Sequence, residues 1–142
     1  MLCIGLLEFG IWLLGYRARS ELRIACLDVG QGDGIVLEIE GTWNLLIDGG
    51  SSNKSAVGQY QILPYLKSRG ISRLDGIFIS HTDGDHISGA EEILEYVGKG
   101  LTSIRVDHLI LPDWEDEPEN YLELRKLAQT ADVQVLQVKA GD

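Results

Sequence analysis

Four potential metal ligands fall within six residues, His81-Thr82-Asp83-Gly84-Asp85-His86, directly after the apolar run Gly76-Ile-Phe-Ile-Ser80. A short, strongly apolar run of this kind predicts a strand buried on both faces. The loop is therefore launched from the interior of the fold. In an extended loop His81, Asp83 and Asp85 project to one side. Gly84 allows a sharp turn between the two acids, and His86 points back from the following helix. Imidazole and carboxylate donors together suit divalent metals. An isolated polar turn rarely carries four such groups at the end of a buried strand. Two other motifs fail. Counted from Asp83, the positions where a calcium-binding EF-hand loop requires Gly and Glu are Ser88 and Leu94. The Gly30-Gln-Gly-Asp-Gly34 turn is followed by an alternating strand pattern, where a dinucleotide site requires a helix.

Around this segment the order is strands first, then alternating helix and strand, which predicts a layered α/β domain. Leu22–Leu27, Ile35–Glu40 and Trp43–Ile47 alternate as strands, separated by the glycine-rich turn Asp28–Gly34 and by Gly41-Thr42. Asp48-Gly49-Gly50 breaks the third strand, and Ser51–Gly58 reads as loop. Gln59–Ser68 places Ile62, Leu63 and Leu66 on one helical face, with Pro64 implying an early start or a kink. Ser88-Gly-Ala-Glu91 has capping-box spacing and predicts a helix opening there and running to about Tyr96. Val106–Leu111 reads as one strand stopped by Pro112. The acidic run at 115–119 leads into a helix with Tyr121, Leu124 and Leu127 on its apolar face. Val133, Val135 and Val138 suggest a final strand.

The chain of 142 residues is long enough for one domain with a core. Its net charge of −10 excludes binding polyanions through bulk charge, so a nucleic-acid role needs a bound cation or a local basic patch. Cys3 and Cys26 lack the spacing of a cysteine zinc site and read as two buried thiols. Residues 1–16 form an apolar run carrying Glu8, too short to span a bilayer alone. They read as the end of a transmembrane helix, or as an apolar core or interfacial helix. Residues 17–21 then form a linker to a domain at 22–142.

Taken together, His81-Thr-Asp-Gly-Asp-His86 resembles the HxHxDH signature of the metallo-β-lactamase superfamily, and Asp48-Gly49-Gly50 resembles its first motif. Leu27-Asp-Val-Gly-Gln-Gly-Asp33, Leu46-Ile-Asp-Gly-Gly50 and Leu63-Pro-Tyr-Leu-Lys67 resemble the ComEC-type DNA-internalisation competence proteins, which are polytopic proteins of the bacterial cell membrane. The likeness runs from about residue 22 to the end. It implies the N-terminal half of a metallo-β-lactamase-type αββα sandwich. It implies one or two divalent ions, with His81 and Asp83 on the first and Asp85 and His86 on the second. Asp85 would also orient the attacking water, making it the catalytic candidate. Asp48 would fix a histidine tautomer from behind the ligands. Asp28, Gln31 and Asp33 either line the cleft or form a turn with local side-chain bonds. Asp83 stands where the signature has histidine, and this harder donor shifts preference towards Mn²⁺ or Mg²⁺, with Zn²⁺ still able to bind.

The resemblance implies a phosphodiesterase or nuclease acting on DNA during uptake, with the membrane as a second partner through the N-terminal apolar segment. Two rivals stay open. One is another hydrolase of the same fold acting on a small ester, thioester or lactam. The other is a fragment that folds or binds metal without catalysis. The superfamily's later ligands come from its second half. His108, the third histidine, reads as a structural residue within its strand. A half-domain would also expose apolar sheet surface and associate with itself.

Overall fold

A computed structural model describes residues 21–39, 41–114, 117–139 and 141. The expectations for the apolar run 1–16, for Cys3 and for linker positions 17–20 lie outside the described residues. Among the described residues, no helix is long and apolar enough to cross a membrane.

The chain folds as a mixed α/β layer structure. Strands β1 (Leu22–Cys26), β2 (Gly34–Ile39) and β3 (Trp43–Asp48) form an antiparallel meander, because short glycine-containing turns join them. The chain then crosses over through a π-helical turn (Gly58–Ile62), α1 (Leu63–Ser68) and β4 (Arg73–Leu74) to β5 (Gly76–Phe78). Helix α2 (Gly84–Gly98) and β6 (Arg105–Val106) lead to β7 (His108–Pro112), and α3 (Glu119–Thr130) leads to β8 (Gln134–Val138). From β3 onwards the pairing is parallel, giving a six-stranded sheet ordered β1-β2-β3-β5-β7-β8. Strands β4 and β6 pair separately as a two-stranded parallel sheet.

The period-2 alternation of the strands separates the two faces. The row Ala25–Val36–Leu46–Ile77–Leu109–Val135 runs across all six strands in register. Its four central members are fully buried, in one core with Ile62 and Leu66 before and within α1, Ile93 and Leu94 of α2, and Tyr121 and Leu124 of α3. Each such side chain contributes about 1.5–3 kcal/mol by leaving water. The neighbouring row, Cys26–Ile35–Ile47–Phe78–Ile110–Leu136, faces the other way and is half-buried or exposed.

Several local expectations need correction. Cys26 is exposed, not buried, because β1 is an edge strand and residue 26 falls on its outward face. Helix α2 opens at Gly84, four residues before the capping-box serine. Ser88 instead accepts a hydrogen bond from the Ser51 N–H at 3.0 Å, a tertiary role that mimics the local signature. The loop is therefore extended only to Asp83, and Asp85 does not continue its alternation. Gly84 has a helical backbone and needs no positive φ. Pro64 sits in the first turn of α1, where its missing N–H is harmless. The predicted strand at 106–111 is two strands in different sheets, and Pro112 is the last residue of the second.

Candidate metal centre

The site lies where β3 and β5 end and α2 begins. Asp48 closes β3 in a left-handed conformation, φ 54°, that Asp tolerates better than most residues. This turn aims its carboxylate inwards, where it is 4% exposed. Three donors converge on it. The Ser80 N–H donates to Oδ1 at 2.8 Å, and the Ser80 hydroxyl donates to Oδ2 at 2.7 Å. His86 Nδ1 lies 3.0 Å from the same Oδ2. Without these bonds a carboxylate at this depth would be costly. Ser80 Oγ also lies 3.0 Å from Nδ1 of His81, and the rings of His81 and His86 stand 3.7 Å apart at 48°.

Glycine makes the loop junction possible. Gly49 N–H donates to the His86 carbonyl at 2.8 Å, and Asp33 N–H donates to the Asp85 carbonyl at 3.2 Å. Gly50 N–H donates to the Asp33 carbonyl at 3.1 Å, and Ala90 N–H donates to the Gly49 carbonyl at 3.1 Å. A Cβ on Gly50 would meet the Asp85 carbonyl carbon at 2.5 Å and the His86 nitrogen at 2.6 Å. The Asp48-Gly49-Gly50 turn, the Asp28–Asp33 turn and the start of α2 are thus laced together through backbone.

The structure brings some candidate residues together and leaves others apart. Ligand atoms of Asp33, Asp48 and His86 all lie within 4.8 Å of one another. His81 Nε2 is 3.6 Å from Asp83 Oδ2, and His86 Nε2 is 4.0 Å from Asp85 Oδ2. Asp33 Oδ2 lies 3.6 Å from His86 Nδ1. Asp83, at the N-cap of α2, is the most exposed of the set at 79%. Asp28 turns away to Lys54, 2.8 Å distant, whose hydrogen bond and charge lower its pKa. Gln31 is exposed, and its backbone bonds to Asn53 and Ser52. His108 lies apart, with Nδ1 2.9 Å from the Asp75 carbonyl.

Two participants carry no role in the sequence reading. Ser80 was visible only as the residue before the motif. Asn120 of α3 donates to the Thr82 carbonyl at 3.0 Å and ties the loop to a helix 38 positions away, for which no local signal exists. Beside Ser80 a cavity of about 430 Å³ opens between Phe78, Pro112, Trp114 and Lys139.

Among the described residues only Asp33, Asp48 and His86 bring three ligand atoms within 4.8 Å of one another, and His81, Asp83 and Asp85 stand around that group, so four carboxylates and two imidazoles share this end of β3 and β5. Such a concentration of negative charge fits a divalent cation, and oxygen donors outnumber nitrogen. A second cavity, about 420 Å³, is lined by Arg23, Glu38, Arg69 and Arg73, and includes none of these six residues. Its guanidinium groups are paired with Glu38, Asp75 and Asp107.

The family model described as "Metallo-beta-lactamase superfamily" matches residues 27–138. The chain is 34% identical over 116 residues to "Recombination protein 2" of Haemophilus influenzae, covering 82% of this chain and 14% of that protein. It is 29% identical over 137 residues to "ComE operon protein 3" of Bacillus subtilis, covering 87% of this chain and 17% of that one. Both relatives are ComEC-type competence proteins, and the chain spans less than a fifth of either. A crystal structure of a diphosphatase from the PhnP family aligns with a TM-score of 0.41 at 18% identity, over 75% of this chain and 36% of that one. That likeness is too distant to carry an argument about this site.

Proposed function

The chain belongs to the metallo-beta-lactamase superfamily, and from that premise we propose that it is the ion-holding portion of a divalent-metal hydrolase that cleaves phosphodiesters, with a DNA strand as substrate during uptake. The observation that carries this reading is the gathering of Asp33 and His86 around the buried Asp48, with His81 stacked on the His86 ring and Asp83 and Asp85 at the rim. His81 and Asp83 would hold one ion, and Asp85 and His86 a second. Asp33 faces the Nδ1 side of His86, beside Asp48, and so supports the ring from the side opposite the ion. When bound, divalent ions supply Lewis-acid stabilisation of the attacked phosphate and a nucleophile at neutral pH. Asp48 holds His86 by its Nδ1 and so leaves Nε2 for the ion. Asp85, in the first turn of α2, would accept a hydrogen bond from the attacking water and set its direction. The cavity beside Ser80 gives an apolar wall, with Trp114 in it, against which a substrate could lie.

The oxygen-rich donor set favours Mn²⁺ or Mg²⁺ over Zn²⁺. The net charge of −10 repels a polyanion, so cation loading and DNA binding should be coupled. The names of the two relatives point towards DNA handling.

The test is a substrate screen with linear DNA, a chromogenic phosphodiester, a thioester and a lactam, each with Mn²⁺, Mg²⁺ or Zn²⁺. It is run on this chain and on the Haemophilus relative. Metal-dependent phosphodiester cleavage, lost in the equivalent of Asp85→Ala, supports the reading. Turnover of only the thioester or lactam would replace it with the small-ester alternative. Metal binding with no turnover of any substrate would favour a non-catalytic role.

A further inference from the structure

Hydrogen bonds around Asp48 fix where protons sit on both neighbouring histidines, and the second of them is set through Ser80. A carboxylate only accepts. Asp48 Oδ2 faces His86 Nδ1 at 3.0 Å, so that nitrogen carries the proton. The same oxygen faces the Ser80 hydroxyl at 2.7 Å, so the single hydroxyl proton is directed at Asp48. Ser80 Oγ then has only lone pairs left for His81 Nδ1, 3.0 Å away. That contact is attractive only if His81 Nδ1 also carries a proton. The opposite tautomer would set two lone pairs against each other.

We propose that Ser80 is a positioning residue that relays Asp48 to His81, holding that imidazole protonated on Nδ1 with Nε2 free to bind a cation. One buried carboxylate thereby sets two imidazoles, His86 directly and His81 at one remove. The Ser80 N–H, which donates to Asp48 Oδ1 at 2.8 Å, fixes the serine backbone so that its hydroxyl cannot swing to another partner without breaking the pair. Asp83 Oδ2 faces His81 Nε2 at 3.6 Å, beyond hydrogen-bond distance, so the proton arrangement follows from the hydrogen bonds at the Nδ1 atoms. Its consequence for cation binding rests on the reading of this pocket as a metal site.

The experiment separates the two. The full chain, labelled with ¹⁵N-histidine and free of metal, is examined by long-range ¹H–¹⁵N correlation at a pH where its imidazoles are neutral. His108 is an internal control, because Nδ1 faces the Asp75 carbonyl at 2.9 Å and must donate. In the wild-type chain all three histidines should carry the proton on Nδ1. In Ser80→Ala, His81 should shift towards the Nε2-protonated form while His86 and His108 hold. Ser80→Thr, which keeps the hydroxyl, should restore His81. Mn²⁺ affinity should fall about 10-fold in Ser80→Ala and recover in Ser80→Thr. His81 protonated on Nε2 in the wild-type chain would overturn the proposal without recourse to any variant. So would a His81 that keeps its Nδ1 proton in a folded Ser80→Ala. The tautomer pattern as stated, in a chain that binds no Mn²⁺, would support the relay and overturn the metal reading of the pocket.

Discussion

Replacing Gly50 by alanine should damage the site more than any conservative change to its charged residues damages the fold. The new Cβ would meet the Asp85 carbonyl carbon at 2.5 Å, and the Gly84 oxygen and His86 nitrogen at 2.6 Å. All three are backbone atoms, so no side chain can rotate away. Relief requires the Asp48-Gly49-Gly50 turn to retreat from α2 by roughly 1 Å, the gap to an ordinary packed contact. That retreat stretches the Gly49–His86 and Ala90–Gly49 backbone bonds, now 2.8 and 3.1 Å. Overpacking of this kind costs about 1–3 kcal/mol, and each weakened bond about 0.5–1.5 kcal/mol more. The expected loss is on the order of 2–6 kcal/mol, equal to a fall in melting temperature of roughly 7–20 °C for a domain of this size. Gly84→Ala is the control. Nothing lies within 4 Å of its added Cβ, and the residue is helical, so its melting temperature should hold or rise slightly. Thermal melts by circular dichroism read both. A Gly50→Ala protein that melts within a degree or two of wild type would refute the close-approach argument.

Acid should weaken the Glu38 cluster. Burial pushes the Glu38 pKa up, but hydrogen bonds from Arg69 and Tyr65 outweigh it, and the net value lies below the usual 4.5. A depressed carboxylate stabilises the fold above its unfolded pKa, and that contribution is lost as pH falls through the folded value. Urea unfolding between about pH 6 and about pH 3 should show a shallower acid loss in Glu38→Gln than in wild type; equal slopes would remove Glu38 from the acid response. Deleting residues 1–19 should raise solubility and leave the circular dichroism per remaining residue unchanged, whereas a deletion that unfolded the rest would show that the apolar run packs into the domain. Asp48→Asn, which keeps the size and tolerates the left-handed backbone, should weaken Mn²⁺ binding by about 10–100-fold; calorimetric titration showing unchanged affinity would detach Asp48 from the site.

The strands of the meander were legible because their signals are local. Alternation in Leu22–Cys26, glycine turns at 30–34 and at Gly41, and the break at Asp48-Gly49 set their bounds to within a residue or two. The start of α2 was not legible. Ser88 and Glu91 mimic a capping box, while the real onset at Gly84 is held by Asp33 and Gly49 from distant loops. Strands β6 and β7 are separated by Asp107, and nothing in six apolar-rich residues announces a change of sheet. At the site, the clustering of His81, Asp83, Asp85 and His86 in sequence placed all four between the end of β5 and the first turn of α2, where the structure has them. It could not show that Asp33, from a turn some fifty residues earlier, lies nearer to His86 than Asp85 does. That proximity depends on the glycine backbone contact between the loops.

The central claim is that this pocket holds a divalent cation. Crystals of the chain soaked in Mn²⁺ and measured at the manganese absorption edge test it most directly. The account predicts an anomalous difference peak bonded to side chains among His81, Asp83, Asp85 and His86, and lost in His86→Ala crystals. A saturated soak with no peak at these residues, or with its strong peak elsewhere, would contradict it.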